Sequence, residues 1–227
     1  MLEKLRKEVH AANLMLPQHG LVIFTWGNVS AIDRNANLVV IKPSGVDYAD
    51  TRPENMVVVD LKGQTVEGDL KPSSDTLTHL ELYRSFPNIG AVAHTHSRCA
   101  TIFAQNQKPI PPYGTTHADY FHGPVPCLRP LTDREVASDY ELNTGKVIAR
   151  DHPDYEGIPG CLVASHGPFT WGRSALEAAH NAAVLEEIAA MALFCPNAPL
   201  VSKALLDKHY SRKHGPNASY GQKTPPK

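Results

Sequence analysis

The sequence predicts an α/β protein of the α+β type, in which a central, mostly antiparallel β-sheet is flanked by helices. Strand-like and helix-like segments are mixed along the 227 residues without a regular β-α-β alternation. Hydrophobic residues make up 42% of the chain, which is enough for a substantial core. Because no linker-like stretch interrupts the chain, we expect one domain over residues 1–222 and a short disordered extension over residues 223–227.

The first half of the chain predicts one helix, four strands and the start of a second helix. Apolar residues recur at helical spacing at positions 2, 5, 9, 12 and 16, before Pro17 and Gly20 end the helix. Strand-like runs follow at residues 21–24, 29–32, 38–41 and 56–60, and turn residues separate them. We expect the next helix to begin with Ser74 as its N-cap and Asp75 in its first turn.

The second half begins with an apolar run at residues 89–93 that predicts a buried strand, and a short helix is expected after Arg98. Residues 108–130 are rich in proline, glycine and aromatic residues, and such a long irregular stretch often forms a site or an interface. Ser174 and Glu177 have the spacing of a capping box that opens a long helix to about residue 193. A last helix is expected over residues 203–210.

Histidines follow two of the apolar runs and suggest a metal site. His94 and His96 are two residues apart, so in a strand they leave the same face. His166 ends a second apolar run, and Asp75 can add an oxygen ligand. Three imidazoles and a carboxylate suit zinc or a neighbouring divalent ion. The chain has 12 histidines, so structural histidines remain an open alternative at this stage.

Three short loops contain small hydrogen-bond donors and suggest an anion site. Each loop lies at a strand end or a helix start, where amides, hydroxyls and an ammonium group can bind phosphate. Their residues are Gly27, Asn28, Lys42, Ser44, Gly45, Ser73 and Ser74. The same residue types are common in ordinary turns, which is the competing interpretation. Asp119, in the irregular stretch, is a candidate general acid or base, or a residue that only caps the backbone.

Charge and cysteine content argue against several classes of protein. The net charge of −1 gives no strong field for nucleic acid or an anionic membrane, so we expect neither as a partner. The four cysteines contain no C-x-x-C pair, which favours reduced thiols over a zinc ribbon or a redox motif. The charged N-terminus and the lack of a long apolar run predict a cytoplasmic protein.

Seven motifs, in order and with compatible spacing, resemble those of the L-ribulose-5-phosphate 4-epimerases of the class II aldolase family. They occupy residues 26–30, 42–46, 71–75, 94–97, 115–121, 165–169 and 206–210, and a Tyr-Gly-Gln segment follows at residues 220–222. The Lys-Pro-Ser-Gly, Ser-Ser-Asp and His-Thr-His segments are shared with the wider family. The Thr-Thr-His-Ala-Asp-Tyr-Phe and Tyr-Gly-Gln segments point to the epimerase branch.

The resemblance implies a three-layer fold and a metal-dependent isomerase. The implied reaction interconverts L-ribulose 5-phosphate and D-xylulose 5-phosphate by retro-aldol cleavage, rotation of glycolaldehyde phosphate and re-addition. One divalent metal per subunit, Zn²⁺ with Mn²⁺ or Co²⁺ as alternatives, would be bound by His94, His96 and His166 with Asp75 beside them. The seven loop residues would bind the substrate, with the serines and Gly45 holding its phosphate.

The resemblance also assigns roles to residues later in the chain. Asp119 and Tyr220 would be the two acid/base groups, with Tyr220 reaching over from a neighbouring subunit of a homotetramer whose active sites lie at subunit interfaces. Further positions that would line or support the site are Thr115, Glu141, His209 and Arg212. Arabinose catabolism, an ascorbate route and other pentose routes are equally compatible with these assignments.

Three alternatives remain from the sequence. A sugar-phosphate aldolase of the fuculose or rhamnulose phosphate type would typically have glutamate where Asp75 stands. A non-catalytic scaffold, like the head region of adducin, would be expected to have lost the metal histidines. A structural zinc protein would usually use cysteine ligands, which these segments lack.

Overall fold

The computed structural model describes residues 2–215 and 218–220, and within them eight strands form a single sheet. The strands are β1 (Asn28–Asp33), β2 (Leu38–Ile41), β3 (Val57–Asp60), β4 (Thr65–Glu67), β5 (Ala91–His94), β6 (Cys127–Leu128), β7 (Gly160–Val163) and β8 (Gly167–Gly172). The helices are α1 (Glu3–Gln18), α2 (Thr76–Ser85), α3 (Arg98–Gln105), α4 (Thr115–Ala118), α5 (Asp133–Val136), α6 (Tyr140–Asp151), α7 (Ala175–Phe194) and α8 (Lys203–Lys213). The expected domain end at residues 221–222 and the extension over 223–227 lie outside the described residues.

The sheet has the order β4-β3-β2-β1-β5-β8-β7-β6, and its neighbouring strands are antiparallel except for the parallel pair β6 and β7. This arrangement confirms the predicted mostly antiparallel sheet. The central pair, β1 and β5, places Asn28 opposite His94, so one end of the sheet carries both an anion-loop residue and a metal-ligand candidate.

Helices cover both faces of the sheet because its strands alternate their apolar side chains. Val39 and Ile41 of β2 face a core that includes residues of α2 and α6. Val40, between them, faces the opposite core, which includes residues of α1 and α7. The result is three layers, helix on sheet on helix. Across residues 2–215 and 218–220, no helix has the length and apolar character needed to cross a membrane.

The expected strand at residues 21–24 is wrong. Phe24 has φ 55°, and the amide of Trp26 bonds to the carbonyl of Ile23 in a turn. Both edges of β1 are already paired, with β2 and β5, so residues 21–24 have no place beside it in the sheet. Leu21 is buried, whereas Phe24 and Trp26 are exposed at the rim of the site.

Two local predictions near the site, the N-cap of α2 and the shared strand of His94 and His96, also differ from the structure. The N-cap position of α2 is Asp75 rather than Ser74, and it makes no side-chain capping bond because its carboxylate bonds to the Asn28 amide. His96 lies two residues beyond the end of β5, so the two histidines do not share a strand. The N-cap of α7 is confirmed, since the Ser174 hydroxyl accepts from the amide of Glu177.

Candidate active site

Three histidines converge at one end of the sheet. His94 ends β5, His96 follows it, and His166 lies in the turn between β7 and β8. One ring nitrogen of each lies within 4.8 Å of the others, and the Nε2 atoms of His94 and His96 are 3.1 Å apart. Nitrogens bound to one tetrahedral zinc ion at about 2.0–2.1 Å lie roughly 3.3 Å from each other. The cluster therefore has the donor set of a divalent-metal site, and the His94–His96 pair has the spacing of two ligands of one ion.

The surroundings of His94 orient it as a ligand. Its Nδ1 lies 2.9 Å from the carbonyl oxygen of Pro168, and donation to that oxygen leaves the Nε2 lone pair directed at the cluster. Phe169 stacks on the His94 ring with 4.1 Å between centroids. A backbone carbonyl and an aromatic ring, both from β8, thus fix the position and tautomer of this side chain.

Two histidines of the cluster, His96 and His166, are in the form that binds metals. Burial, reinforced by the neighbouring His94, lowers the pKa of His166 to about 3. Burial also lowers the pKa of His96. Both imidazoles are therefore neutral near pH 7, and a neutral imidazole presents a free lone pair to a cation.

Asn28 connects the first loop to the other groups of the site. Its amide nitrogen donates to the Asp75 carboxylate at 2.7 Å and lies 3.0 Å from the Ser73 hydroxyl. Its side-chain oxygen is buried and has no hydrogen-bond partner among the described residues. Such an acceptor suits a substrate hydroxyl or a bound water. Asp75 lies beside the histidine cluster but outside it, so its role as a ligand stays a prediction.

The two loops predicted to hold the phosphate, which carry Ser44 and Ser73, lie side by side and are called the phosphate loops. The Ser44 amide donates to the carbonyl of Lys71, and the Ser73 amide donates to the carbonyl of Lys42. Ser44 and Gly45 are exposed at the tip of their turn, and Gly45 has φ 69°. This pairing places small side chains and backbone amides of both loops around one opening, which is the arrangement that anions favour.

Lys42 is buried at the base of its loop. Its ammonium group donates to the carbonyl of Val46 at 2.8 Å and lies 4.7 Å from the centre of the Tyr48 ring. The Tyr48 hydroxyl in turn lies 2.8 Å from the carbonyls of Trp26 and Gly27. Lys42 therefore supports the turn that carries Ser44 and contributes positive charge to the opening.

The three histidines and residues of the three loops line one cavity of about 530 Å³. Its lining also includes Glu141, a further candidate site residue from the sequence, whose role stays a prediction. It also includes Thr25 and Tyr140, which sequence reasoning missed. Tyr140 adjoins Glu141 in the chain, and that adjacency was the one signal that could have drawn attention to it.

A second group of predicted residues gathers elsewhere around Asp119. The Asp119 carboxylate accepts from Arg212 at 2.7 and 2.9 Å, and it lies 3.0 Å from His209 Nδ1. Arg212 and Lys213 lie over the ring of Tyr220, at 5.3 and 4.3 Å from its centre. We call Asp119, His209, Arg212, Lys213 and Tyr220 the Asp119 cluster. Its members are absent from the lining of the histidine cavity, as is the exposed Thr115 of α4.

The position of Tyr220 bears on its expected role at a subunit interface. The sequence resemblance implies that Tyr220 acts from a neighbouring subunit. It does not say where Asp119 lies relative to Tyr220. The structure brings Asp119 and Tyr220 of one chain together through Arg212 and Lys213, which contact both residues. The cationic groups of Arg212 and Lys213 hold the two residues near each other. Both groups pair with the Asp119 carboxylate and lie over the Tyr220 ring.

The Asp119 carboxyl is ionised at neutral pH. Burial raises its pKa, but the hydrogen bonds from Arg212 and His209 and the charge of Lys213 outweigh that effect and hold the pKa below its usual value. An ionised carboxylate accepts a proton and cannot donate one. The exposed phenol of Tyr220 can donate one.

Gly27→Ala is expected to destabilise the fold and disturb the histidine cluster. Gly27 has φ 77°, and an added Cβ would lie 2.8 Å from the His94 carbonyl oxygen. We expect a loss of more than about 1 kcal/mol in the free energy of unfolding, measured by urea denaturation. Gly114→Ala is the matched control, since a Cβ there meets nothing within 4 Å. Equal stability of the two variants would contradict the close approach at Gly27.

Comparisons with known proteins agree with this geometry. A family model described as the class II aldolase and adducin N-terminal domain matches residues 7–193. An L-fuculose 1-phosphate aldolase superposes with a TM-score of 0.79 at 25% sequence identity, and the match covers 92% of this chain and 95% of that chain. YgbL from Escherichia coli, described as a candidate aldolase/epimerase/decarboxylase, superposes with a TM-score of 0.74 at 28% identity, covering 91% and 97% of the two chains.

Proposed function

The chain belongs to the class II aldolase and adducin N-terminal domain family, and on that premise we propose that it is a metal-dependent enzyme that makes and breaks a carbon–carbon bond in a sugar phosphate. Within that class, we propose an L-ribulose-5-phosphate 4-epimerase, whose product is D-xylulose 5-phosphate. One observation supports the proposal most: the three-histidine cluster and both phosphate loops open into the same cavity. An enzyme that cleaves a sugar phosphate in this way needs a metal site and a phosphate site in the same cavity.

The chemistry explains why an epimerase would use this architecture. The hydrogen on C4 of L-ribulose 5-phosphate is not acidic, because the ketone at C2 is two carbons away. Inversion at C4 can instead proceed by loss of the O4 proton and cleavage of the C3–C4 bond, with the electron pair left on the three-carbon fragment. The two-carbon aldehyde then turns and re-forms the bond through its other face, and O4 takes up a proton there.

The residues of the cavity suit the two fragments. When bound at the histidines, a divalent cation, for which we propose Zn²⁺, supplies Lewis-acid polarisation of the ketone oxygen. Ser44, Gly45 and Ser73 would hold the phosphate, so the aldehyde fragment stays in the cavity while it turns. The unpartnered oxygen of Asn28 would accept a hydrogen bond from a substrate hydroxyl.

The Asp119 cluster would supply the proton transfers from a neighbouring subunit. Ionised Asp119 would accept a proton on one face of the aldehyde fragment, and the Tyr220 phenol would donate on the other. Since neither residue lines the cavity of its own chain, we propose a closed homotetramer in which each cavity is completed by the next subunit. His209 and Arg212 would position Asp119, because both contact its carboxylate.

The second candidate is an aldolase of the fuculose-phosphate type. The similarity to an L-fuculose 1-phosphate aldolase favours it, and the histidines and phosphate loops would serve it equally well. Asp75, where the aldolases would typically have glutamate, and the Thr-Thr-His-Ala-Asp-Tyr-Phe motif at residues 115–121 favour the epimerase. A non-catalytic scaffold is less well supported, because all three histidines are present and converge.

The deciding experiment is to incubate the zinc-loaded protein with L-ribulose 5-phosphate and measure D-xylulose 5-phosphate and free glycolaldehyde phosphate. Formation of xylulose 5-phosphate that is lost with a chelator and restored by zinc would support the epimerase. Accumulation of the free aldehyde, or cleavage of L-fuculose 1-phosphate alone, would favour the aldolase. No turnover of any sugar phosphate by the zinc-loaded protein would overturn both.

Substrate affinity is expected to fall as the pH rises past about 8. Burial lowers the pKa of Lys42 to about 8, so its positive charge is present below that pH and is lost above it. We expect the KM for the sugar phosphate to rise by up to about tenfold between about pH 7 and about pH 9. In Lys42→Met the KM should be high throughout and lack this step. A step of the same size in both proteins would show that another group is responsible.

A further inference from the structure

Tyr140 contacts the histidine cluster through its hydroxyl group. It is the first residue of α6, it lines the cavity, and its hydroxyl oxygen lies 3.3 Å from Nδ1 of His166. Within residues 2–215 and 218–220, this is the hydrogen bond that the structure gives the His166 ring. The phenol oxygen can accept from Nδ1–H, which leaves the lone pair of Nε2 for a cation.

His166 depends on such a contact more than His94 does. The ring of His94 bonds to a backbone carbonyl of β8 and stacks flat on Phe169. The ring of His166 meets Phe169 only edge-on, with 5.7 Å between centroids. His166 also follows Ser165, whose φ of 60° marks a tight turn rather than a strand. Packing and backbone thus fix His94, whereas a side chain from another element orients His166.

Helix α6 holds Tyr140 firmly in place. Gly145 lies so close to α2 that an added Cβ would be 2.6 Å from Cβ of Glu81. The Thr78 hydroxyl of α2 donates to the carbonyl of Glu141 at 2.6 Å, and the Thr144 hydroxyl donates to the carbonyl of Tyr140 at 2.9 Å. Since Asp75 is the N-cap residue of α2, the packing of α6 on α2 also fixes Tyr140 relative to the Asp75 side of the site.

We propose that Tyr140 is a positioning residue for His166: its hydroxyl accepts from His166 Nδ1–H and holds Nε2 towards His94 and His96. This inference rests on the proposed metal-dependent function. A group that fixes the tautomer and the ring orientation of a metal-binding histidine typically changes metal affinity by about 10- to 100-fold when it is removed. At 3.3 Å the bond is long, so we expect an effect near the lower end of that range.

The test is Tyr140→Phe, which removes only the hydroxyl. We expect the dissociation constant for Zn²⁺, measured by competition with a chromophoric chelator, to rise about tenfold. The visible absorption spectrum of the Co²⁺-loaded variant should also differ from that of the wild type. The melting temperature of the metal-free protein should stay unchanged. Tyr113→Phe, whose hydroxyl makes only a 3.4 Å contact with the Pro196 carbonyl, is the matched control.

Each outcome decides the proposal. Unchanged Zn²⁺ affinity and an unchanged Co²⁺ spectrum in Tyr140→Phe would overturn it, whatever happens to turnover. A loss of affinity matched by a lower melting temperature of the metal-free protein would assign Tyr140 to packing and would also overturn it. If the wild-type protein bound no Zn²⁺, the proposed function would fail instead, which separates the two failures.

Discussion

His96→Asn is expected to abolish metal binding and to lower turnover of the sugar phosphate by more than about a thousandfold. The large effect follows because one of three converging imidazoles is lost, and Lewis-acid stabilisation by a bound cation contributes several kcal/mol to catalysis. His96 is the best of the three to replace, since it is the most exposed of them, whereas His94 is buried. Metal content by atomic emission and turnover of L-ribulose 5-phosphate are the two measurements.

The control for this variant is His19→Asn. His19 is an exposed histidine just beyond the end of α1 and outside the three-histidine cluster. We expect this variant to keep its zinc and its turnover, and both metal-free proteins to melt at similar temperatures. Zinc retained at one equivalent with normal turnover in His96→Asn would show that His96 is not a ligand.

Most of the sheet could be predicted because local pattern and tertiary structure agree there. Residues 38–41 form β2 with the predicted bounds, since turn residues flank an apolar run that is buried on both faces. Residues 21–24 carry a similar apolar run, yet they form a turn at the rim of the site. The apolar pattern could not distinguish them, because the pairing partners of β1 depend on strands far along the chain.

The site was predictable where its residues lie at strand ends, and less so where helices bring residues in from the side. The loops at Asn28, Ser44 and Ser73 were singled out as turns, and they meet because β1 begins, β2 ends and α2 begins at the same end of the sheet. Tyr140 reaches the site only through the packing of α6 on α2. That contact depends on Gly145, which has no local signature.

Asp119→Asn is expected to stop epimerisation and also to loosen α8. The carboxylate receives hydrogen bonds from Arg212 and His209, so its loss should cost about 2 kcal/mol in the free energy of unfolding. Urea denaturation should show that the variant is still folded, and its zinc content should be unchanged because the histidines are elsewhere. The loss of turnover then reports on proton transfer rather than on folding or on metal binding.

Co-expression of two inactive variants would test whether that proton transfer crosses a subunit interface. In a ring of subunits, His96→Asn and Asp119→Asn chains mixed at random should leave about a quarter of the sites with an intact cation site and an intact Asp119. Two different affinity tags would isolate the mixed oligomers, and their turnover should reach about a quarter of the wild-type value. Turnover no higher than that of the parent variants would mean that each site is built from one chain.

The matched control pairs Asp119→Asn with Tyr220→Phe. Since both residues belong to the Asp119 cluster, each site would receive them from the same neighbouring chain, and every site in the mixed oligomer would lack one of them. Turnover should therefore stay at the level of the parent variants. Recovery in this pair would show that Asp119 and Tyr220 serve different sites, against their contact through Arg212. Recovery only in the pair of His96→Asn with Asp119→Asn would assign the metal site to one subunit and the proton-transfer groups to its neighbour.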